Sequence, residues 1–172
     1  MQTKHTENPI FSCDIQMDGT RFVTGGADNH AKIWSLKALL KEIQEVDSSA
    51  GANTQNALPI EEKLLCTVSH AGPVNCVRFS PDSRNRLATC SDDRTVVVWQ
   101  FIGSISASTA ANSLDKNIER WSMLMTFTGH TADVTGVCWS PDGNKLASCS
   151  TDNTIKIWDI NKKCNSKQKL IP

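Results

Sequence analysis

The chain has 172 residues, of which 39% are hydrophobic, and its 18 basic and 18 acidic side chains cancel. That length suits one ordinary domain with a packed core. Zero net charge argues against holding nucleic acid by bulk charge, because phosphate binding needs clustered Lys and Arg. No apolar run approaches the span of a bilayer, and the polar start "MQTKHTENP" lacks a signal-peptide core.

In chain order, the first patterned stretch is "HTENPIFSCDIQMDGTRFVTGGADNHAKIWS", residues 5–35. It contains an Asp–Trp step of six residues, Asp28 to Trp34, and a His, His5, that precedes the Asp by 23. The stretch "SLKALLKEIQEV" follows. Leu36, Leu39, Leu40, Ile43 and Val46 recur there at helical spacing, with Ser35 as the N-cap. Such a helix either packs on the domain's own underside or docks a partner. The remainder of the insert 35–63, "SSAGANTQNALP", reads as a mobile loop.

The second patterned stretch is "SHAGPVNCVRFSPDSRNRLATCSDDRTVVVWQ", residues 69–100, and the third is "GHTADVTGVCWSPDGNKLASCSTDNTIKIWD", residues 129–159. Asp93 to Trp99 and Asp152 to Trp158 repeat the six-residue step, and His70 and His130 stand 23 and 22 residues before their Asp. Three recurrences make a repeat, and a repeat decides the architecture before any single motif does. Within the third copy, Val134–Trp139, Lys145–Ser150 and Thr154–Trp158 alternate with period two and read as strands, joined by turns such as "SPDGNK". A fourth strand precedes each later His, in "KLLCTVSH" and "SMLMTFTGH". Four short strands per repeat with these marks describe the blade of a β-propeller. The fold class is therefore all-β, with about three four-stranded blades around 5–35, 64–100 and 122–159 inside a partial propeller at 1–160. Trp34 to Trp99 is 65 residues and Trp99 to Trp158 is 59, against about 40–45 for a plain repeat of this kind. The excess falls in the inserts 35–63 and 101–121, the second a loop rich in Ser and Ala.

The set His130, Ser148, Asp152 has the composition of a hydrolase triad. It recurs, however, as His70, Thr89, Asp93 and as His5, Thr24, Asp28, each with a Trp (Trp158, Trp99, Trp34). A catalytic triad has no reason to recur. A structural tetrad does: Asp accepts from imidazole, imidazole bonds the hydroxyl, and the hydroxyl accepts from the indole N–H. Asp152→Ala is expected to destabilise the fold by unpairing buried donors. The seven cysteines include no CxxC pair, and Cys13, Cys76, Cys90, Cys138 and Cys149 lie in strand patterns, so they read as small buried hydrophobes in a reducing compartment. No zinc-ligand spacing is present, and no cofactor is expected.

These copies resemble WD40 repeats. "PIFSCDIQMDGTRFVTGGAD" with "KIW", "HAGPVNCVRFS" with "LATCSDDRTVVVW", and "IERW" followed by the third copy resemble successive blades of the HIRA family of histone chaperones. The middle subunit of chromatin assembly factor is a close relative with a similar "VN-VRFSP" stretch. The resemblance covers residues 5–160. It implies a nuclear, non-enzymatic scaffold that docks a ubinuclein-like subunit and, directly or through it, histones H3–H4. It further implies histone deposition outside replication and transcriptional regulation, including repression, with chromatin reached indirectly and no small-molecule substrate or membrane. The alternatives are a generic WD40 adaptor in another complex and the chromatin-assembly-factor subunit itself. The family's ring normally has seven blades, and three cannot close one. A fragment, a truncated gene product or a short form that oligomerises or competes for partners is expected, with unpaired apolar faces at either end. The tail 161–172 ("NKKCNSKQKLIP") carries Lys162, Lys163, Lys167 and Lys169 and reads as a disordered, solvated end or as a basic signal.

Overall fold

A computed structural model of the chain describes residues 8–41, 63–105 and 118–162, and the backbone of 169–171. Among the described residues, twelve strands form three antiparallel four-stranded sheets. The first sheet orders β1 (Ile10–Ile15), β2 (Arg21–Gly26), β3 (His30–Ser35) and β4 (Leu64–Ser69). The second orders β5 (Val74–Phe79), β6 (Arg86–Ser91), β7 (Val96–Ser104) and β8 (Glu119–Phe127). The third orders β9 (Val134–Trp139), β10 (Lys145–Ser150), β11 (Ile155–Asp159) and β12 (Lys169–Ile171). Each is a simple meander, as an incomplete β-propeller requires. β5 lies between β1 and β9, so the first strands of the sheets are neighbours on the inner side.

The blade boundaries around 64–100 and 122–159 need correction. β4 pairs with β3, not with β5, and β8 pairs with β7, not with β9. Each repeat therefore closes the preceding sheet with its first strand. The reason is edge satisfaction: the Trp-bearing strand has one side on β2 or β6, and the returning chain fills its open side. The tail at 161–172 follows the same logic in part. Residues 169–171 add an outer strand to β11, in the register Ile155↔Ile171, rather than fraying.

The insert 101–121 is likewise not all loop. β7 and β8 each run nine residues, and Phe101↔Trp121 and Ser104↔Glu119 continue the ladder into the insert. The Ser- and Ala-rich remainder at 106–117 lies outside the described residues, as do most of the first insert (42–62), His5, Ile43, Val46 and Lys163. The start of the predicted helix is present at 36–41, capped where Ser35 Oγ accepts from Ala38 N at 3.3 Å. Leu39 is buried and Leu40 is exposed.

Two apolar clusters hold the three sheets together. Val23, Ile33, Val68, Val77, Leu87 and Trp99 lie between the first and second sheets. Ala88, Val98, Phe127, Val137, Leu146 and Trp158 lie between the second and third. At the first junction only glycine fits at position 25, because a Cβ there would meet Val74 and Val77 at 2.8 Å. Cys66, Cys76 and Cys90 are buried in these clusters. Cys13, Cys138 and Cys149 are exposed, contrary to the expectation of uniformly buried thiols. Strand alternation puts these three on sheet faces without a described neighbour.

Candidate functional site

The second and third sheets assemble the predicted tetrads. In the second, His70 Nδ1 is 2.8 Å from Asp93 Oδ2, His70 Nε2 is 2.7 Å from Thr89 Oγ1, and Trp99 Nε1 donates to Thr89 Oγ1 at 2.9 Å. In the third, His130 Nδ1 is 2.8 Å from Asp152 Oδ2, His130 Nε2 is 2.8 Å from Ser148 Oγ, and Trp158 Nε1 donates to Ser148 Oγ at 2.8 Å. A carboxylate only accepts, so Nδ1 carries the proton and Nε2 accepts from the hydroxyl in the neutral tautomer. The indole then stands edge-on to the imidazole, with centroids 6.4 Å and 6.2 Å apart.

The turn after β6 or β10 positions the Asp. Asp93 accepts from Thr95 N at 2.9 Å and Ala71 N at 3.1 Å, and Asp152 accepts from Thr154 N at 2.9 Å and Thr131 N at 3.0 Å. Burial by itself raises both carboxyl pKa values. Hydrogen bonds from Thr95 and His70 at Asp93, and from Thr154, Thr131 and His130 at Asp152, overcome it and hold both below the ordinary carboxylate range. The six-residue step is thus the path from the turn to the point on the next strand where the indole meets the hydroxyl of the neighbouring strand.

The first sheet differs. Trp34 Nε1 donates to Thr24 Oγ1 at 2.9 Å, as in the other two. Asp28 Oδ2, however, accepts from Lys32 Nζ at 2.8 Å, with both side chains largely buried. His5 is outside the described residues. Lys32 was not singled out in the sequence. A Lys four residues after the Asp is no sign of it, because Lys156 stands at the same spacing after Asp152, which pairs with His130.

Ser148 does not have a nucleophile's surroundings. Its residue is 2% exposed, and its oxygen is shared by the His130 ring and the Trp158 indole. Thr89 is fully buried in the same way. Among the described residues, no three His, Cys, Asp or Glu side chains gather as metal ligands.

A second constellation, which no local motif marks, lies where the β7–β8 hairpin reaches the first sheet. Arg21, at the start of β2, donates from Nε and Nη2 to Glu119 at 2.8–3.0 Å. Its guanidinium lies 4.4 Å from the Phe101 ring centroid and 5.7 Å from that of Trp121. Trp121 Nε1 donates to Glu119 Oε2 at 3.0 Å, and Ile118 N donates to Leu65 O at 2.9 Å. The insert's base is therefore clamped across the first junction. Its residues are 98 apart in sequence, so no local pattern could show the pairing.

The second and third sheets are tied at their turns. Asp82 accepts from Arg84 Nε and Arg86 Nη2, each at 2.7 Å. Arg86 Nη2 also donates to Gly143 O at 2.5 Å, and its guanidinium stands 5.1 Å from the Trp139 ring centroid. Gly143 adopts φ +64°, and a Cβ there would fall 2.0 Å from Asp82. Glycine avoids strain on both counts.

The tetrads tie the loop before an inner strand to the strands of the sheet that holds the Trp, whereas the Arg21 and Arg86 networks fix one sheet on another. The profile of the family described as "CAF1B/HIR1 beta-propeller domain" matches residues 2–171. Protein HIRA of Zea mays is 39% identical over 159 residues, which cover 92% of this chain and 15% of that protein. Protein HIRA of Homo sapiens is 39% identical over 161 residues, covering 90% of this chain and 15% of that protein. The Drosophila melanogaster homolog is 37% identical over 159 residues, with 90% and 14% covered. The chain thus spans about 15% of the length of these relatives. With the three meander sheets, these likenesses show that the chain belongs to the CAF1B/HIR1 beta-propeller family and is a propeller segment of the HIRA histone-chaperone type.

Proposed function

We propose that the chain acts as a non-enzymatic scaffold in replication-independent chromatin assembly and in transcriptional regulation, including repression, within the nucleus. Its partners in this reading are a ubinuclein-like chaperone subunit and, directly or through it, histones H3–H4. The carrying observation is the HIRA likeness over about nine-tenths of the chain. The tetrad chemistry supports a scaffold: the His70–Thr89–Asp93 and His130–Ser148–Asp152 sets are consumed in the interior and offer no accessible nucleophile. The zero net charge supports indirect contact with chromatin.

Affinity capture of the tagged protein from nuclear extract tests the proposal. Recovery of a ubinuclein-like subunit together with H3–H4 is expected. Recovery of the other chromatin-assembly-factor subunits would favour that relative's role, and recovery of an unrelated complex would favour a generic adaptor. Recovery of neither histone nor chaperone subunit would defeat the proposal.

A further inference from the structure

The two innermost strands of each sheet bring the same two positions of the repeat opposite each other. In the first sheet these positions hold Ser12 opposite Gly25, and in the third Gly136 opposite Cys149. In the second sheet they hold Cys76 opposite Cys90. The repeat thus folds with no thiol or with one thiol at this place, so a pair of thiols is not a requirement of the fold. The second sheet has a neighbour on either side, and the pair lies within the structure. Cys76 is 7% exposed and Cys90 0%, both in the cluster between the second and third sheets.

The geometry suits a bond between the two sulfurs. Directly opposed residues of an antiparallel pair have Cα atoms about 4.5–5.5 Å apart, within the roughly 4.4–6.8 Å that a disulfide spans. The third sheet shows how near side chains come at this place: a Cβ at Gly136 would lie 2.9 Å from the Cys149 sulfur. In the second sheet the Cys90 thiol donates to the Cys76 sulfur, and the Cys76 thiol donates to Val137 O at 3.7 Å. The hydrogen bond from Cys90, helped by the Arg78 cation, holds the Cys76 thiol below its ordinary pKa against the effect of burial. That bond and burial hold the Cys90 thiol above its own. Cys76 is therefore the attacking sulfur and Cys90 the resolving one.

We propose that Cys76 and Cys90 form a redox-modifiable dithiol, which a peroxide oxidises to a cross-strand disulfide. The Cys76 thiolate attacks one peroxide oxygen: an S–O bond forms, the O–O bond breaks, and the departing hydroxide takes the proton that Cys76 released and becomes water. The Cys90 sulfur then attacks the Cys76 sulfur: the S–S bond forms, the S–O bond breaks, and a second water leaves with the Cys90 proton. The two thiols together lose two electrons and two protons, and hydrogen peroxide is reduced to two waters. Oxidation also removes the proton that Cys76 donates to Val137 O, and with it one tie between the second and third sheets.

The test treats the complete, folded 172-residue protein with equimolar hydrogen peroxide, alkylates the remaining thiols in denaturant, and digests with trypsin, which cuts between the two cysteines after Arg78 and Arg86. The main disulfide product is expected to be a joined peptide, two hydrogens lighter than its parts, with fragmentation placing the bond at Cys76 and Cys90 and dithiothreitol removing it. Oxidation in urea is expected to abolish that preference, because only the fold sets the two residues opposite each other. Cys76→Ser, which places there the residue found at position 12, is expected to leave Cys90 free after the same treatment, with β-sheet circular dichroism retained. Both thiols free in the treated wild type would overturn the inference, as would a sulfinic acid at Cys76 beside a free Cys90, or a bond from either to another cysteine. The same preference in urea would overturn it too, as would an oxidised Cys90 in Cys76→Ser.

Discussion

Replacing Thr89 with Val keeps the shape of a fully buried side chain and removes one hydroxyl. Two groups then lose their partner: the Trp99 indole N–H, now 2.9 Å from Oγ1, and His70 Nε2, now 2.7 Å away. The His70 side chain is 1% exposed, so water does not readily replace the bond. An orphaned buried polar group costs about 1–3 kcal/mol, so two cost roughly 2–6. The added methyl returns about 0.8 kcal/mol by burial, and local relaxation reduces the sum further. The expected net loss is about 2–4 kcal/mol, read as a shift of the urea midpoint at unchanged slope. Thr135→Val, at an exposed site on β9, is the control and is expected to change stability by less than about 0.5 kcal/mol. A double-mutant cycle with Trp99→Phe is expected to show coupling of about 1 kcal/mol or more between the two side chains. A Thr89→Val protein as stable as the wild type, with no coupling to Trp99, would refute the reasoning that the tetrad supports the sheet.

Three other outcomes follow from the same geometry. Asp93 is held below its ordinary pKa of 3.8 in the folded state, so its contribution is complete above that value and is lost as pH falls through the lower folded value; stability measured by circular dichroism should therefore fall less steeply with acid in Asp93→Asn than in the wild type, and an unchanged slope would contradict this. Glu119→Ala leaves Arg21 buried against Phe101 and Trp121 without its carboxylate and is expected to cost about 3 kcal/mol, whereas Arg21→Met with Glu119→Leu should be near neutral; equal losses in both would deny the clamp its charge-pairing role. Arg94 is exposed at φ +70°, where Asn29 and Asn153 stand in the other two sheets; Arg94→Asn is expected to raise stability by about 0.5 kcal/mol, and a lowered Tm would contradict that account.

Much of the site was legible because it is local and repeated. Asp93 and Trp99 sit on one turn and the strand after it, and His70 and Thr89 are found by the recurrence of the same offsets around His130 and Ser148. The strand spans in the third copy could be read from alternation, because a strand's two faces differ in what they touch. Lys32 was harder, since a Lys in a strand usually reads as a solvated position and only the fold shows its ammonium at Asp28.

Chain order by itself determined that three strands carry a Trp six residues after an Asp, where their turns fall, and which side chains could form the hydrogen-bonded chains of the second and third sheets. Tertiary structure alone decided which sheet each fourth strand completes, that the base of the second insert is a ladder, and that Arg21 meets Glu119 and Trp121. The division has a physical cause. Alternation specifies a strand and its inward face, but a strand's edges accept any chain that reaches them. Which chain arrives is settled by the packing of whole sheets, and that information is not carried in any window of neighbouring residues.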